Sequence, residues 1–128
     1  MADWQHVPAG MYARQALTTA GLWDGVQDKL LPAMDVRAAL MYVEQGAADC
    51  GIVYQTDAAA SRKVKIVATL AADTHRPIRY SMAVLAASNH PKSQALFAHL
   101  HAETTDRVLE KHGFVVLADE AKGQSNVP

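Results

Sequence analysis

Apolar residues recur at helical spacing in several separate stretches of this chain. The first stretch opens at Pro8, which suits the first turn of a helix, and ends before Gly21, which suits the residue after a helix. The spacing i, i+3, i+4, i+7 between these two positions predicts one apolar helix face, made of Ala13, Ala16, Leu17 and Ala20.

Further helices follow the same signals. A short helix is predicted from about Trp23 to Leu30, and a longer one begins after the N-cap Asp35 and ends at Gly46. One helical turn is predicted over residues 56–60. Two more helices are predicted near the C-terminal end: one with Leu96, Phe97 and Leu100 on its apolar face, and one capped by Thr104 or Thr105 that carries Val108 and Leu109 and ends at Gly113.

Short apolar runs between these helices are typical of buried strands. Residues 51–54, 63–70 and 78–86 are predicted as strands, and residues 114–117 as a strand or extended segment. Strands that alternate with helices favour an α/β domain with a largely parallel sheet. The last residues, 118–128, form a polar tail that we expect to fray.

Composition and charge exclude several classes of function. The chain has 128 residues, of which 50% are hydrophobic and 20% are charged, and its formal net charge is −1. A protein that binds nucleic acid or an acidic membrane surface needs a basic stripe, which this balance does not favour. No window approaches about 18 consecutive apolar residues, so no membrane insertion is expected. The N-terminus has no basic and apolar leader, which predicts a cytoplasmic location for the chain as written.

Two helix beginnings and one tyrosine form the candidate binding site. The N–H groups of Ala9, Gly10 and Met11 and those after Asp35 should lack helical partners, so they could bind an anion. Tyr54 ends a predicted strand, where ligands of open α/β sheets tend to bind. Each signal alone has an ordinary alternative: a plain helix start, a core position for Val36, or a tyrosine bonded to a backbone carbonyl.

Signals for catalysis and for metal binding are weak in this sequence. The six histidines show no zinc-site spacing, and there is no phosphate-binding loop, nucleophile elbow or acid pair. Cys50 is expected to be a buried, inert thiol. Arg14, Arg37, Lys63 and Lys65 are interpreted as solvated charges, whereas His6 lies beside the candidate anion site and could add positive charge there.

Several motifs in register resemble periplasmic molybdate-binding proteins, the solute-binding components of molybdate ABC transporters. The match runs from about Trp4 to Leu117 in family order and spacing. The motifs are His6-Val7-Pro8-Ala9-Gly10-Met11-Tyr12-Ala13-Arg14-Gln15-Ala16-Leu17, Gly21-Leu22-Trp23-Asp24, Asp35-Val36-Arg37-Ala38-Ala39-Leu40, Gly51-Ile52-Val53-Tyr54, Val64-Lys65-Ile66-Val67-Ala68-Thr69 and Lys111-His112-Gly113-Phe114.

The resemblance implies a fold and a ligand. The fold would be a three-layer sandwich lobe of a type II periplasmic binding protein, mostly parallel sheet with helices on both faces. The ligand would be molybdate or tungstate, held without cofactor or metal by the backbone N–H groups of Ala9 and Val36 and the hydroxyl of Tyr54, with Gly10 and Asp35 in support. Such a protein is not an enzyme, works in the periplasm, and meets an ABC permease only as part of a full-length protein.

The resemblance covers the C-terminal half of the family only. Residues 1–79 would form the second-lobe anion-binding region, and residues 80–117 the hinge return strand and terminal helices, which in the family belong to the first lobe. Two serine hydroxyls that complete the family site have no counterpart here, so binding is expected to be weak or lost. Exposed apolar surface is expected on the residues that the first lobe would cover: Met82, Val84, Leu96, Phe97, Leu100, Val108 and Leu109.

Three hypotheses of function follow from these expectations. The first is a truncated oxyanion-binding domain that forms a homodimer over the surface left by the missing lobe. The second is a non-catalytic, self-associating scaffold that no longer binds the anion. The third is an intracellular regulatory module that senses an anion, and an enzyme is the least favoured class.

Overall fold

Six α-helices and two 3₁₀ turns make up the regular structure of residues 1–117. The structure is a computed structural model that describes these residues, so the predicted tail at 118–128 lies outside the described residues. The helices are α1 (Pro8–Thr19), α2 (Trp23–Val26), α3 (Val36–Glu44), α4 (Gln55–Ala60), α5 (Ser93–Leu100) and α6 (Glu103–Lys111), and the 3₁₀ turns are Gln27–Lys29 and Ala72–Thr74.

The helix ends follow the local sequence signals closely. Asp35 caps α3 by accepting a hydrogen bond from the Ala38 N–H at 2.7 Å. Gly21 and Gly46 adopt positive φ angles of 69° and 73° directly after the caps of α1 and α3. In both cases the following N–H bonds back to the helix, as in a Schellman motif. The predicted threonine cap of α6 is wrong: the N-cap is Ala102, and the hydroxyl of Thr105 donates upstream to the His99 carbonyl at 2.9 Å.

The predicted sheet is not present among the described residues. Residues 51–54, 63–70, 78–86 and 114–117 form no β-ladder within 1–117, where strand-like pairing is limited to one parallel bridge between Ala2 and Ala33. An apolar run indicates that a segment can be buried as a strand, but a ladder also needs a neighbouring strand to pair with. The expectation of a mostly parallel sheet with helices on both faces is therefore not met by this part of the chain.

The chain divides into two compact units, Met1–Arg79 and Tyr80 onward. The buried apolar residues of the first unit are small apart from Met1: Ala2, Ala9, Ala13, Ala16, Ala33, Ala39 and Ala58. Two of these, Ala13 and Ala16, lie on the predicted apolar face of α1, and Ala39 lies within α3. The most deeply buried positions of the first unit are thus mostly alanines, and most of its larger apolar side chains are half-buried or exposed.

The second unit has no buried residue between Tyr80 and Leu117. Exposure is confirmed for five of the seven apolar residues predicted to be uncovered, whereas Val84 and Phe97 are half-buried. The five exposed residues are Met82, Leu96, Leu100, Val108 and Leu109. A pair of rings, Tyr80 and Phe114, packs edge to face at 5.6 Å within this unit.

Cys50 departs from expectation, because its side chain is exposed and not buried. The prediction assumes that residues 51–54 form a buried strand, and without that strand nothing covers the preceding thiol. No helix within residues 1–117 combines the length and the apolarity needed to cross a bilayer.

Candidate anion-binding site

The start of α1 presents two backbone N–H groups without acceptors. Val7 is an extended N-cap that offers no side-chain hydrogen bond, and Pro8 occupies the first turn. The prediction of a free N–H at Met11 is wrong, because this group already donates to the Val7 carbonyl at 2.9 Å as the first i to i−4 bond of the helix. Within residues 1–117, the N–H groups of Ala9 and Gly10 have no acceptor. They therefore form a small donor site at the positive end of the helix dipole.

The start of α3 has the same form but a better cap. The carboxylate of Asp35 accepts from Ala38, and the Asp35 carbonyl accepts from Ala39 at 3.1 Å. Two N–H groups, those of Val36 and Arg37, find no acceptor in the described part of the chain. Asp35 thus holds the first turn of α3 in shape and leaves its two outermost donors available.

The N-terminal segment links these two helix starts. The Asp3 N–H donates to the Ala33 carbonyl at 2.8 Å, and the Ala33 N–H donates to the Met1 carbonyl at 3.0 Å. Gly10 lies against the same segment, because a Cβ built on it would come within 2.3 Å of the Asp3 carbonyl oxygen and 2.4 Å of that of Ala2. The N-terminal segment therefore contacts α1. It also pairs with Ala33, which lies two residues before the N-cap of α3.

An ion pair links the start of α3 to the first turn of α4. The Nε of Arg37 lies 3.8 Å from Oδ1 of Asp57, although the two residues are 20 positions apart in sequence. Tyr54 is the N-cap of α4 with an extended backbone, and its side chain is half-buried. The elements that carry Val36 and Tyr54 are thus directly connected. Sequence reasoning misses this pair and treats Arg37 as a solvated charge, since no local signal relates residues so far apart.

A carboxylate also lies close to the start of α1. Asp3 accepts the Gln5 N–H at 2.7 Å and pairs with the His6 ring at 3.3 Å. The hydrogen bond from Gln5, and then that from His6, lower the pKa of Asp3 below its ordinary value. The sequence predicts His6 near the anion site, and the structure gives its imidazole an acidic partner there.

An open groove of about 460 Å³ lies along α1, lined by Trp4, Met11, Arg14, Gln15, Thr18 and Thr19. The sequence indicates a solvated charge at Arg14, but its guanidinium also stacks over the ring of Trp23 at 5.1 Å. The polar groups of Gln15 and Thr19 already bond to the backbone at Arg76 and Thr74. The groove therefore offers a mixed polar and apolar surface with one cation, Arg14.

Metal-binding chemistry has no support in the described residues. Within 1–117, no three or more histidine, cysteine, aspartate or glutamate side chains come close enough together to hold a metal ion. The donors available near the starts of α1 and α3 are neutral N–H groups, which suit an anion and not a cation.

Comparison with known proteins places the chain in a family. The model of the bacterial extracellular solute-binding protein family matches residues 1–115. The molybdate-binding protein ModA of Escherichia coli (strain K12) is 41% identical over 116 residues, which is 91% of this chain and 45% of the relative. The molybdate-binding protein ModA of Haemophilus influenzae is 42% identical over 114 residues, 89% of this chain and 45% of that protein.

A solved structure gives the same answer at the level of the fold. The substrate binding domain of a putative molybdenum ABC transporter from Clostridium difficile superposes with a TM-score of 0.76 and 34% sequence identity, over 91% of this chain and 52% of the other. The chain therefore spans about half the length of the relatives that it matches. These matches confirm the resemblance inferred from the sequence motifs, and the chain belongs to the bacterial extracellular solute-binding protein family.

Proposed function

We propose that this chain is an oxyanion-binding lobe for molybdate or tungstate. The anion would accept hydrogen bonds from the N–H groups of Ala9 and Val36 and from the hydroxyl of Tyr54. Gly10 would support the site by allowing the close approach of the N-terminal segment, and Asp35 by capping α3. The observation that carries this proposal is the pair of acceptor-free helix starts, which the segment Met1–Asp3 and its pairing with Ala33 link to each other.

The chemistry of the donors fits a small, fully deprotonated dianion. Backbone N–H groups and a phenol that donates its proton offer no acceptor, so a protonated oxyanion that needs one is disfavoured at such a site. The relatives named as molybdate-binding support the choice of ligand. Solute binding, and not catalysis, is the activity that these donors support, with no cofactor required.

Residues 1–128 tested by themselves are expected to bind the anion more weakly than a two-lobed protein does. The resemblance implies that two serine hydroxyls from the other lobe complete the site. These residues match only 45% of the Escherichia coli relative and include no counterpart of those serines. Each lost hydrogen bond to a charged ligand costs about 1.5–3 kcal/mol. Losing two of them weakens binding roughly a hundredfold to ten-thousandfold. As part of a full-length protein outside the cytoplasm, the lobe would deliver its anion to an ABC permease.

Titration calorimetry with sodium molybdate, sodium tungstate and sodium sulfate tests this proposal. We expect saturable heat with the first two anions. Tyr54→Phe removes one charge-assisted bond and should weaken binding by roughly ten- to a hundredfold. Tyr80→Phe is the matched control, because it removes an exposed phenol from the other unit and should leave the affinity unchanged. Absence of saturable heat for the wild-type chain at roughly 1 mM anion would rule out the site.

A second candidate function is self-association, in which the chain acts as a scaffold whether or not it binds an anion. Residues 80–117 include no buried residue, and many of their large apolar side chains are exposed. A monomer rarely exposes an apolar patch larger than about 300–600 Å². A homodimer formed through α5 and α6 would cover the exposed apolar side chains on these two helices, Leu96, Leu100, Val108 and Leu109.

Sedimentation velocity at micromolar concentration tests this second candidate. The wild-type chain should sediment as a dimer, and Leu96→Asp should shift it to the monomer because Leu96 is 59% exposed on α5. Gln94→Asp adds the same charge to the same helix at an exposed polar position and serves as control. A wild-type monomer across this concentration range would refute the scaffold hypothesis and leave the anion site untouched.

A further inference from the structure

Three carboxylates lie on the segments that form the proposed anion site, and their negative charge opposes the binding of a dianion. Asp3 contacts the start of α1 through its backbone, Asp35 caps α3, and Asp57 lies in the first turn of α4. Asp35 is compensated by its hydrogen bond from Ala38, and Asp3 by Gln5 and the neighbouring imidazole. Asp57 is mostly buried, with a side chain only 18% exposed, so its charge is screened less by solvent than the others.

Arg37 is the cation that faces Asp57. The other ion pairs described within residues 1–117, those of His6 with Asp3 and of Arg107 with Glu103, join residues three or four positions apart. The pair of Arg37 with Asp57 is long-range by comparison, and it connects the helix that bears the Val36 donor to the helix capped by Tyr54. The side chain of Arg37 is 88% exposed, so its charge lies next to solvent.

We propose that Arg37 is a positioning and charge-balancing residue of the anion site, acting through Asp57. This inference rests on the proposed function. Arg37 holds the first turn of α4 close to the first turn of α3, and its positive charge offsets the carboxylate that would otherwise oppose a dianion. Arg37 need not contact the anion, since the donors remain the N–H groups and the phenol.

Charge variants separate this role from a purely structural one. Arg37→Gln leaves Asp57 uncompensated, and molybdate binding should weaken about threefold to fivefold in low salt. Arg37→Lys keeps the charge and should stay within about twofold of wild type. In Arg37→Gln combined with Asp57→Asn, the repulsion is gone, so more than half of the loss in binding free energy should return.

The salt dependence of molybdate affinity separates loss of charge from loss of structure. A binding defect caused by lost charge shrinks at high salt, whereas one caused by lost structure persists. At roughly 1 M KCl the Debye length falls to about 3 Å, so the difference between Arg37→Gln and wild type should shrink toward twofold or less. Arg107→Gln is the matched control, because it removes the same charge from an ion pair with Glu103 in the other unit. Its molybdate affinity should equal that of wild type at every salt concentration.

The possible outcomes distinguish the two proposals. If the wild-type chain gives no saturable heat with sodium molybdate, the anion site is refuted and this role falls with it. If wild type binds and Arg37→Gln binds equally well in low salt, only the role of Arg37 is refuted. A double variant as weak as Arg37→Gln, with a deficit that persists in high salt, also overturns charge balancing.

Discussion

Replacing Gly10 by alanine should destabilise the chain, although alanine is the better helix former. Gly10 lies in the first turn of α1, where Gly→Ala would by itself favour the helix by up to about 1 kcal/mol. The new Cβ, however, would come within 2.3 Å of the Asp3 carbonyl oxygen, which belongs to the backbone and cannot rotate away as a side chain would. The N-terminal segment must therefore move off the helix.

The size of this effect follows from the contacts that the segment would lose. Forcing an extra methyl into a packed contact costs about 1–3 kcal/mol. The two backbone hydrogen bonds between Met1–Asp3 and Ala33 contribute about 1 kcal/mol each. After subtracting the gain in helix propensity, the free energy of unfolding should fall by about 2–4 kcal/mol.

Urea unfolding at fixed protein concentration, followed by tryptophan fluorescence, measures this change. Trp4 and Trp23 pack edge to face at 5.7 Å in the same region, so they report on loss of the N-terminal segment. Gly25→Ala is the control, because a Cβ there meets nothing within 4 Å and should be neutral or slightly stabilising. A Gly10→Ala chain as stable as wild type would show that the contact between α1 and the N-terminal segment is not tight.

Three further predictions concern single side chains. Asp35→Ala should lower the free energy of unfolding by about 1 kcal/mol through loss of the N-cap bond, and Asp35→Asn should restore most of it in the same urea assay. Because the pKa of Asp3 is lowered in the folded chain, its contribution to stability is present above its ordinary pKa of 3.8 and is lost as pH falls through the folded value. Urea midpoints of wild type and Asp3→Asn should therefore converge as pH falls below 3.8, and a constant difference would contradict this. Exposed Cys50 should react with a thiol reagent in the native chain nearly as fast as in urea, and strong protection would contradict its exposure.

The helices are the part of the fold that local sequence predicts well. Pro8 at the start of α1, Asp35 before α3, and glycines after both helices act through contacts within a few residues, so the information lies in adjacent positions. The apolar spacing of Ala13 and Ala16 also places them on the buried face of α1. These features depend on one turn of backbone at a time.

The strands and the thiol are predicted less well, for a common reason. The run 63–70 alternates as a strand does, yet pairing depends on a second segment that no local pattern specifies. The prediction of a buried Cys50 depends on placing the segment after it within a sheet, and the thiol is exposed. Such errors arise when the burial of a residue depends on a segment distant in sequence, because a local pattern does not identify that segment.

Local sequence alone determined the boundaries of α1 and α3, the candidate donors and the family motifs that carry them. Only the tertiary structure showed that Gly10 touches the backbone of Asp3, that this segment pairs with Ala33, and that Arg37 meets Asp57 across 20 residues. The first N–H groups of any helix have no carbonyl within the helix to bond to, so free donors at a helix start are a local property of the chain. Which helix starts lie near one another, and which charges offset one another, depends on how distant segments pack.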